Sequence, residues 1–409
     1  MLRFFIKFGA EGESSMKRIL LIFSGVAMVA ALLGTGCATA QKTKQETSLK
    51  IGVIMPLSGK YAPYGKKVFE GIKLACEEVN ANRKNGAPKV WLAFFDNKST
   101  PAGTVSAMKK LAGNVPVVIG AYSTSNTLFL KPLALKYKLP VITPTATNDI
   151  VTERNPYMFR SCFNDSSQAA AMAYFMYHDK DLRRIGIMIN IQENGTYSRD
   201  LGRTAEEKFI KYGGKVLNTV GFYSGTHNFE APLKSLIDSK CRAVFAPSYP
   251  GDAAAIIMQA RNLKYNKPLF GSDGWDEPQV LAKCGSDPGP CFFSSMFSIQ
   301  YQKPEVKKFI DAMRRKTNEL PGMCEAQGYD TFKLAVKAAS LRNGSADFRG
   351  GLYRIKNYPG ITGNISIDAS GNAVKPVFVK QIVKTPEGKL TTRLVKILNP
   401  EQINRIVKK

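Results

Sequence analysis

The chain has 409 residues, of which 44% are hydrophobic and 22% charged, so it can bury sizeable cores and is not composed like a disordered protein. Its formal charge of +26 would suit nucleic acid or an anionic membrane if the cations were clustered. The Lys and Arg are instead scattered along helical segments without interleaved aromatics, which argues against a nucleic-acid partner and for solvated surface charge.

Met16-Lys17-Arg18, the apolar run Ile19 to Leu33 and Gly34-Thr35-Gly36-Cys37 read as the basic, hydrophobic and small-residue regions of an export signal over residues 1–36, with 1–15 an over-extended start. The run falls short of the about 20 apolar residues of a spanning helix. Cleavage before Cys37 would leave a lipid-modifiable cysteine on a tether over 37–47. This resembles bacterial lipoproteins, although the Leu of such signals stands one place early, at Leu33. Ala38-Thr39-Ala40 offers the rival cut of an ordinary secreted protein. The mature chain is expected in the periplasm or on the extracytoplasmic face, anchored through Cys37.

Six cysteines remain after Cys37, and their connectivity is not fixed by sequence. Cys284 and Cys291 bracket the turn-rich GSDPGP and are the expected local disulfide; Cys76 and Cys241 are expected as buried thiols.

In chain order the periodicity predicts a strand over Leu49–Pro56, a helix over Lys66–Asn82, a strand over Val90–Phe95 and a helix over Thr104–Leu111. A strand over Val115–Ile119, a helix over Thr127–Tyr137 and a strand over Val141–Thr143 follow. Strands alternating with helices predict parallel α/β architecture. The pattern then restarts, because Arg183 to Phe222 echoes Lys50 to Phe95 in strand, tyrosine-bearing polar loop, helix and strand. CRAVFAPSYPGD likewise answers VPVVIGAYSTSN, and KPLFGSDGWDEP answers LPVITPTATND.

The unusual polar loops each fall just after a strand, and ligands of open parallel sheets bind outside the carboxyl ends of strands. Thr124 and Ser125 sit between a strand and a helix, where free N–H groups and the helix dipole favour an anion. Ser125 and Thr127 serve equally well as helix caps. Thr145-Ala146-Thr147 adds hydroxyls and small residues, and Asp273, in FGSDGWDE, supplies an acid from the other half; S-D-G is also a turn signal. A carboxylate site facing an acid suggests a zwitterion. Tyr64, Tyr122, Tyr197, Tyr249 and Trp275 lie in the same loops and suit the walls of such a pocket. Tyr64 could equally pack a turn.

Catalysis is poorly represented. The two histidines, His178 and His227, stand beside no nucleophile or second ligand, and no G-x-S-x-G, H-E-x-x-H, P-loop or paired C-x-x-C occurs. No catalytic residue, metal ligand or cofactor is therefore expected.

PLSGKYAPYGKKVFEGIKLACEEVNA, VVIGAYSTSNT and VITPTATNDIVT, with GTYSRDLG and FGSDGWDE, together resemble the branched-chain amino-acid binding proteins of ABC importers, the type I periplasmic binding proteins. The resemblance runs from about Leu49 to Asn372. It implies two Rossmann-like lobes with parallel sheets joined by a three-crossing hinge. It further implies that Thr124 and Thr147 hold an α-carboxylate with main-chain help around Ser123, and that Thr145 and Asp273 take the ammonium together with Thr147. By the same resemblance Tyr197 and Tyr249 close from the second lobe, and Tyr64 and Tyr122 border the ligand's side chain. Those family members carry Glu where Asp273 stands, an aliphatic residue where Tyr122 stands, and a disulfide cysteine where Ser123 stands.

By the resemblance, lobe one spans 48–165 and 297–360 and lobe two 166–296 and 361–409. The expected function is capture of an α-amino acid, branched-chain or similar, by a monomer that delivers it to an inner-membrane ABC permease. The alternative is a ligand-sensing lipoprotein that binds an amide or other small polar solute and regulates a membrane partner.

Overall fold

The run SLKIGVIM forms β1 (Ser48–Met55), and its inner residues Ile51, Val53 and Ile54 are fully buried, as expected of a strand covered on both faces. The structure is a computed structural model and describes residues 48–408 apart from 85–86, 193–195, 227 and 345–346. The export signal, Cys37 with its tether, and His227 lie outside the described residues.

After β1 come α1 (Ala62–Ala81), β2 (Lys89–Asp96), α2 (Pro101–Leu111), β3 (Val118–Gly120), α3 (Thr124–Tyr137), β4 (Val141–Thr143) and β5 (Met158–Arg160). The five strands form one parallel sheet in the order β2-β1-β3-β4-β5. The order reverses between β1 and β3, which opens a crevice at the carboxyl ends of the strands.

The chain then builds α4 (Asp165–Tyr174), β6 (Arg184–Asn190), α5 (Thr196–Lys211), β7 (Lys215–Phe222), α6 (Glu230–Asp238), β8 (Val244–Phe245), α7 (Pro250–Asn262), β9 (Leu269–Gly271), α8 (Pro278–Lys283) and β10 (Cys291–Ser295). Here β7-β6-β8-β9-β10 run parallel in the same relative order as the first sheet. The echo seen in the sequence is thus an echo in topology.

Next come α9 (Pro304–Thr317), α10 (Met323–Leu341) and α11 (Phe348–Tyr353), and α10 packs along α1 on the first sheet. A Cβ at Gly71 would collide with the Glu325 carbonyl, and one at Gly328 with the Val68 carbonyl. Glycine at both positions is what lets these two helix backbones approach. A small antiparallel sheet of β11 (Tyr358–Gly360), β12 (Gly363–Ile367) and β13 (Ala373–Val374) follows. Then β14 (Val377–Lys384) and β15 (Leu390–Leu398) extend the second sheet antiparallel beyond β10, and α12 (Pro400–Lys408) packs on α4.

Several element limits differ from expectation, with α1 starting at Ala62 and not Lys66 and α2 at Pro101 and not Thr104, and β1 and β2 differing by one residue at each end. β3 starts at Val118 and not Val115, because Pro116 has no N–H for the ladder. α3 starts at Thr124 and not Thr127, for a reason that bears on the site.

Cys76 and Cys241 are buried free thiols, as expected. The expected Cys284–Cys291 bridge is corrected, since both are also free. The loop between them turns the Cys291 thiol to the Pro288 carbonyl at 3.1 Å, while the Cys284 thiol faces the carbonyls of Leu281 and Gly285 at 3.8 Å. Burial pushes the Cys291 thiol up to about 12.

Candidate functional site

At the crevice of the two sheets, the loops after successive strands bring together side chains that are far apart in sequence. Tyr122 and Thr124 follow β3, Thr145 follows β4, Tyr197 lies in the first turn of α5, Tyr249 follows β8, and Asp273 with Gly274 follows β9. All of these line one cavity, together with Glu277 and Met323.

The carboxylate side of this cavity is built by the N-terminus of α3. Ser123 is the N-cap, in extended conformation, and its hydroxyl accepts from the Asn126 N–H. Thr127 donates its own hydroxyl to the Ser123 carbonyl at 2.8 Å. The cap is therefore Ser123 and not Ser125 to Thr127, which moves the helix start up to Thr124 and puts that residue's N–H at the positive end of the helix dipole. Thr145 donates its hydroxyl to the Tyr122 carbonyl at 2.6 Å, tying the β3 and β4 loops together. Behind them the fully buried Arg160 donates to the carbonyls of Ala146 at 3.0 Å and Asn148 at 2.8 Å, and also to that of Thr147. Thr147 does not line the cavity. Its hydroxyl is buried and acts on the Asp165 carboxyl.

Asp273 forms the acidic side. Its Oδ1 lies 2.6 Å from the Tyr197 phenol, which also reaches the Ser272 hydroxyl at 2.6 Å, and its N–H donates to Gln168 Oε1 at 2.8 Å. Burial outweighs these bonds and pushes the carboxyl up to about 6. Asp165 accepts from Gln168 Nε2 at 3.2 Å with Oδ1. Burial first, then the charges of Asp149 and Asp273, holds Asp165 well above the usual carboxylate range.

Tyrosines fill the space between. Tyr64 stacks on Tyr122 with ring centres 5.4 Å apart, Tyr122 meets Tyr61 at 5.7 Å, Tyr61 meets Tyr249 at 5.5 Å, and Tyr249 meets Tyr197 at 5.1 Å. This row runs from the first half of the molecule to the second. Burial raises the Tyr249 phenol well above its ordinary value, while the backbone N–H of Thr124 acts in the opposite direction. The remaining cavity measures about 20 Å³, room for about one water.

Of the expected site residues, Tyr122, Thr124, Thr145, Tyr197, Tyr249 and Asp273 are brought together. Ser123, Thr147 and Tyr64 are adjacent, Ser123 as a cap and Tyr64 through its ring and a 2.6 Å bond to Gln279 Oε1. Trp275 belongs to the core and not to the pocket wall. It is 1% exposed, lies over Gly271, and donates Nε1 to the Ala246 carbonyl and the Ser248 hydroxyl. Sequence reasoning missed Glu277, Met323 and the ring of Tyr61. Glu277 stands inside the quoted FGSDGWDE, but its partners Lys67 and Cys324 are distant in sequence; Met323 is remote in sequence and had no signal. His178 is exposed beside Tyr174, and among the described residues no group of metal-ligating side chains could hold an ion.

The two sheets share one topology, and the loops after their strands converge on one cavity. The chain belongs to the periplasmic binding protein family, whose model matches residues 48–387. It is 24% identical over 375 residues to the Leu/Ile/Val-binding protein homolog 3 of Brucella melitensis, covering 91% of this chain and 98% of that one. The branched-chain amino acid transporter substrate binding protein LivJ of Streptococcus pneumoniae, in complex with isoleucine, superposes with a TM-score of 0.75 at 27% identity over 86% of this chain and 100% of that one. A solute binding protein of Rhodopseudomonas palustris, in complex with 3,4-dihydroxy benzoic acid, shares the fold at a TM-score of 0.75 and 23% identity, covering 86% and 98%. The chain is accordingly a non-enzymatic solute-binding component of an ABC transport system with the type I fold. No described helix is long and apolar enough to cross a membrane.

Proposed function

We propose that this protein captures an α-amino acid between two lobes and delivers it to an inner-membrane ABC permease. The observation that carries the proposal is that Asp273 shares one cavity with Thr124 and Thr145, so that an acid and the N-terminus of α3 border the same space. The carboxylate would take the place of the Tyr249 phenol at the Thr124 N–H, with Thr147 and the Ser123 main chain behind it. The ammonium would lie on Asp273. Tyr197 and Tyr249 would close from the second lobe, and Tyr64 and Tyr122 would border the side chain. The names of the Brucella and Streptococcus relatives agree with this ligand class.

Lobe one is taken as 48–165 with 297–360 and lobe two as the remainder, hinged near Ser166, Met296 and Ile361. The small cavity admits a solute only when the lobes part, and a ligand that touches both lobes only in the closed state shifts the equilibrium toward closure. Charge-assisted bonds of about 1.5–3 kcal/mol each, less the cost of association, reach the roughly −8 kcal/mol of micromolar binding. Lipid attachment at Cys37 would hold the protein beside its permease.

The test is a thermal-shift screen of protein stripped of solute by unfolding and refolding, against amino acids, their N-acetyl and amide derivatives, and benzoates. Free α-amino acids should raise the melting temperature, and blocking either end should abolish the rise. A response to benzoates alone would overturn the zwitterion reading.

A further inference from the structure

Glu277 is a second carboxylate in the cavity wall, and the proposed amino-acid function leaves it without a role. It belongs to the segment after β9, is 5% exposed, and is the only acid besides Asp273 that lines the cavity among the described residues. Its two oxygens are engaged from the other half of the molecule. Oε2 accepts from Lys67 Nζ of α1 at 2.9 Å, and Oε1 accepts from the Cys324 thiol of α10 at 3.0 Å. A carboxylate has about four acceptor sites. A single ammonium and one weak thiol donor leave acceptor capacity on a buried charge, which is costly unless something supplies it.

Tyr122 lies on the same side of the cavity. Glu277 bonds Lys67, one turn of α1 beyond Tyr64, whose ring stacks on Tyr122, whereas Asp273 bonds the Tyr197 phenol at 2.6 Å. The two acids therefore address different parts of the space, with Asp273 at the Tyr197 side and Glu277 at the Tyr122 side. An aliphatic side chain laid against Glu277 would displace water from the carboxylate and return nothing to it. A second ammonium there would meet the charge of Lys67. A hydroxyl or primary amide suits both neighbours.

We infer that Glu277 sets the specificity of the cleft and that the preferred ligand is an α-amino acid with a neutral hydrogen-bond donor on its side chain, not a branched aliphatic one. This rests on the zwitterion reading above and goes beyond it by naming the side-chain class.

The experiment is isothermal titration of solute-stripped, full mature protein with two pairs of near-isosteres, threonine against valine and asparagine against leucine, with alanine as a ligand whose side chain is too short to need Glu277. Threonine and asparagine should bind about ten- to a hundredfold more tightly than their partners, the range of a hydrogen bond to a charged group. In Glu277→Leu the ratio of threonine to valine affinity should collapse or invert; the ratio is the readout because loss of the Lys67 contact weakens binding of every ligand, alanine included. Glu277→Gln, which keeps an acceptor, should retain part of the preference. Equal or better binding of valine and leucine by the wild type would overturn the inference and leave the zwitterion site standing, as would a preference unchanged in Glu277→Leu. Failure of every free amino acid, alanine included, would instead bring down the underlying reading and this inference with it.

Discussion

Asp273 is the residue at which stability and binding oppose each other. Its carboxyl titrates near 3.8 in an unfolded chain and at about 6 in the fold, chiefly because it is buried. The fold thus favours the protonated form, so the stabilising contribution is fully present below about pH 4 and lost as pH rises through 6. Over that window the loss amounts to about 3 kcal/mol. Asp273→Asn keeps an acceptor for Tyr197 and removes the buried charge. We expect it to raise the urea midpoint at pH 7.5 while leaving the midpoint at pH 4 almost unchanged; equal effects at both pH values would show that the carboxyl ionises without penalty. The proposed ammonium needs the ionised form. Amino-acid affinity should therefore fall about tenfold between pH 7 and pH 5, and this pH dependence should vanish in Asp273→Asn, as read by titration calorimetry.

At the scale of elements, the contact of α1 with α10 is set by two glycines. Gly328→Ala pushes a methyl group into the Val68 carbonyl, and relief requires the helices to separate. The expected cost is about 1–3 kcal/mol, measured as a shift in thermal midpoint; an unchanged midpoint would mean that the pair is loosely packed. The cysteines give a second check. With all six described thiols buried and free, a thiol reagent should find almost none in the native state and all six after unfolding, and reductant should leave the melting temperature where it was.

These elements also show what could be read from the chain alone. Most strands and helices were legible because their apolar period is strong, and the loops that build the site were legible because polar residues follow strands there. The cap of α3 was not, since Ser123, Ser125 and Thr127 are chemically equivalent until backbone angles separate them. Trp275 was misassigned because a loop indole has the same composition whether it faces a ligand or the core. Glu277 and Met323 could not be found, because their place in the cavity depends on how α8 and α10 converge from distant parts of the sequence. The disulfide failed for the opposite reason, since proximity in sequence does not fix the direction in which two thiols point.

At the scale of the whole molecule, polar contacts besides the tyrosine row join the loops and helices of the two sheets across the cavity. Lys67 pairs with Glu277 at 2.9 Å, Tyr64 donates to Gln279 at 2.6 Å, and Asn148 donates to Asp200 at 3.0 Å. With the hinge proposed above, such contacts would bias the protein toward closure before any ligand arrives. Replacing Tyr64 by Phe and Asn148 by Ala together should shift that balance toward the open form by about tenfold, taking about 0.5–1.5 kcal/mol per bond. Small-angle scattering should then show a larger radius of gyration without ligand, and saturating ligand should restore the smaller one. Identical radii with and without ligand would argue against a moving hinge.

The order in which the elements are threaded has a consequence for how the chain comes into being. The first sheet is complete in sequence at Arg160, yet α10, which packs along α1, begins only at Met323; the second sheet gains its last strand only at Leu398. A polypeptide that emerges amino end first can bury the face of the first sheet covered by α2 and α3 once Met158 has appeared, but the face that α10 covers stays open until α10 is made. Until then its apolar strand edges stay unsatisfied and its contacts stay long-range, the conditions for slow folding. If the chain is exported as the expected signal implies, that delay would suit passage through a narrow channel as an extended chain and would expose it to aggregation if passage stalls.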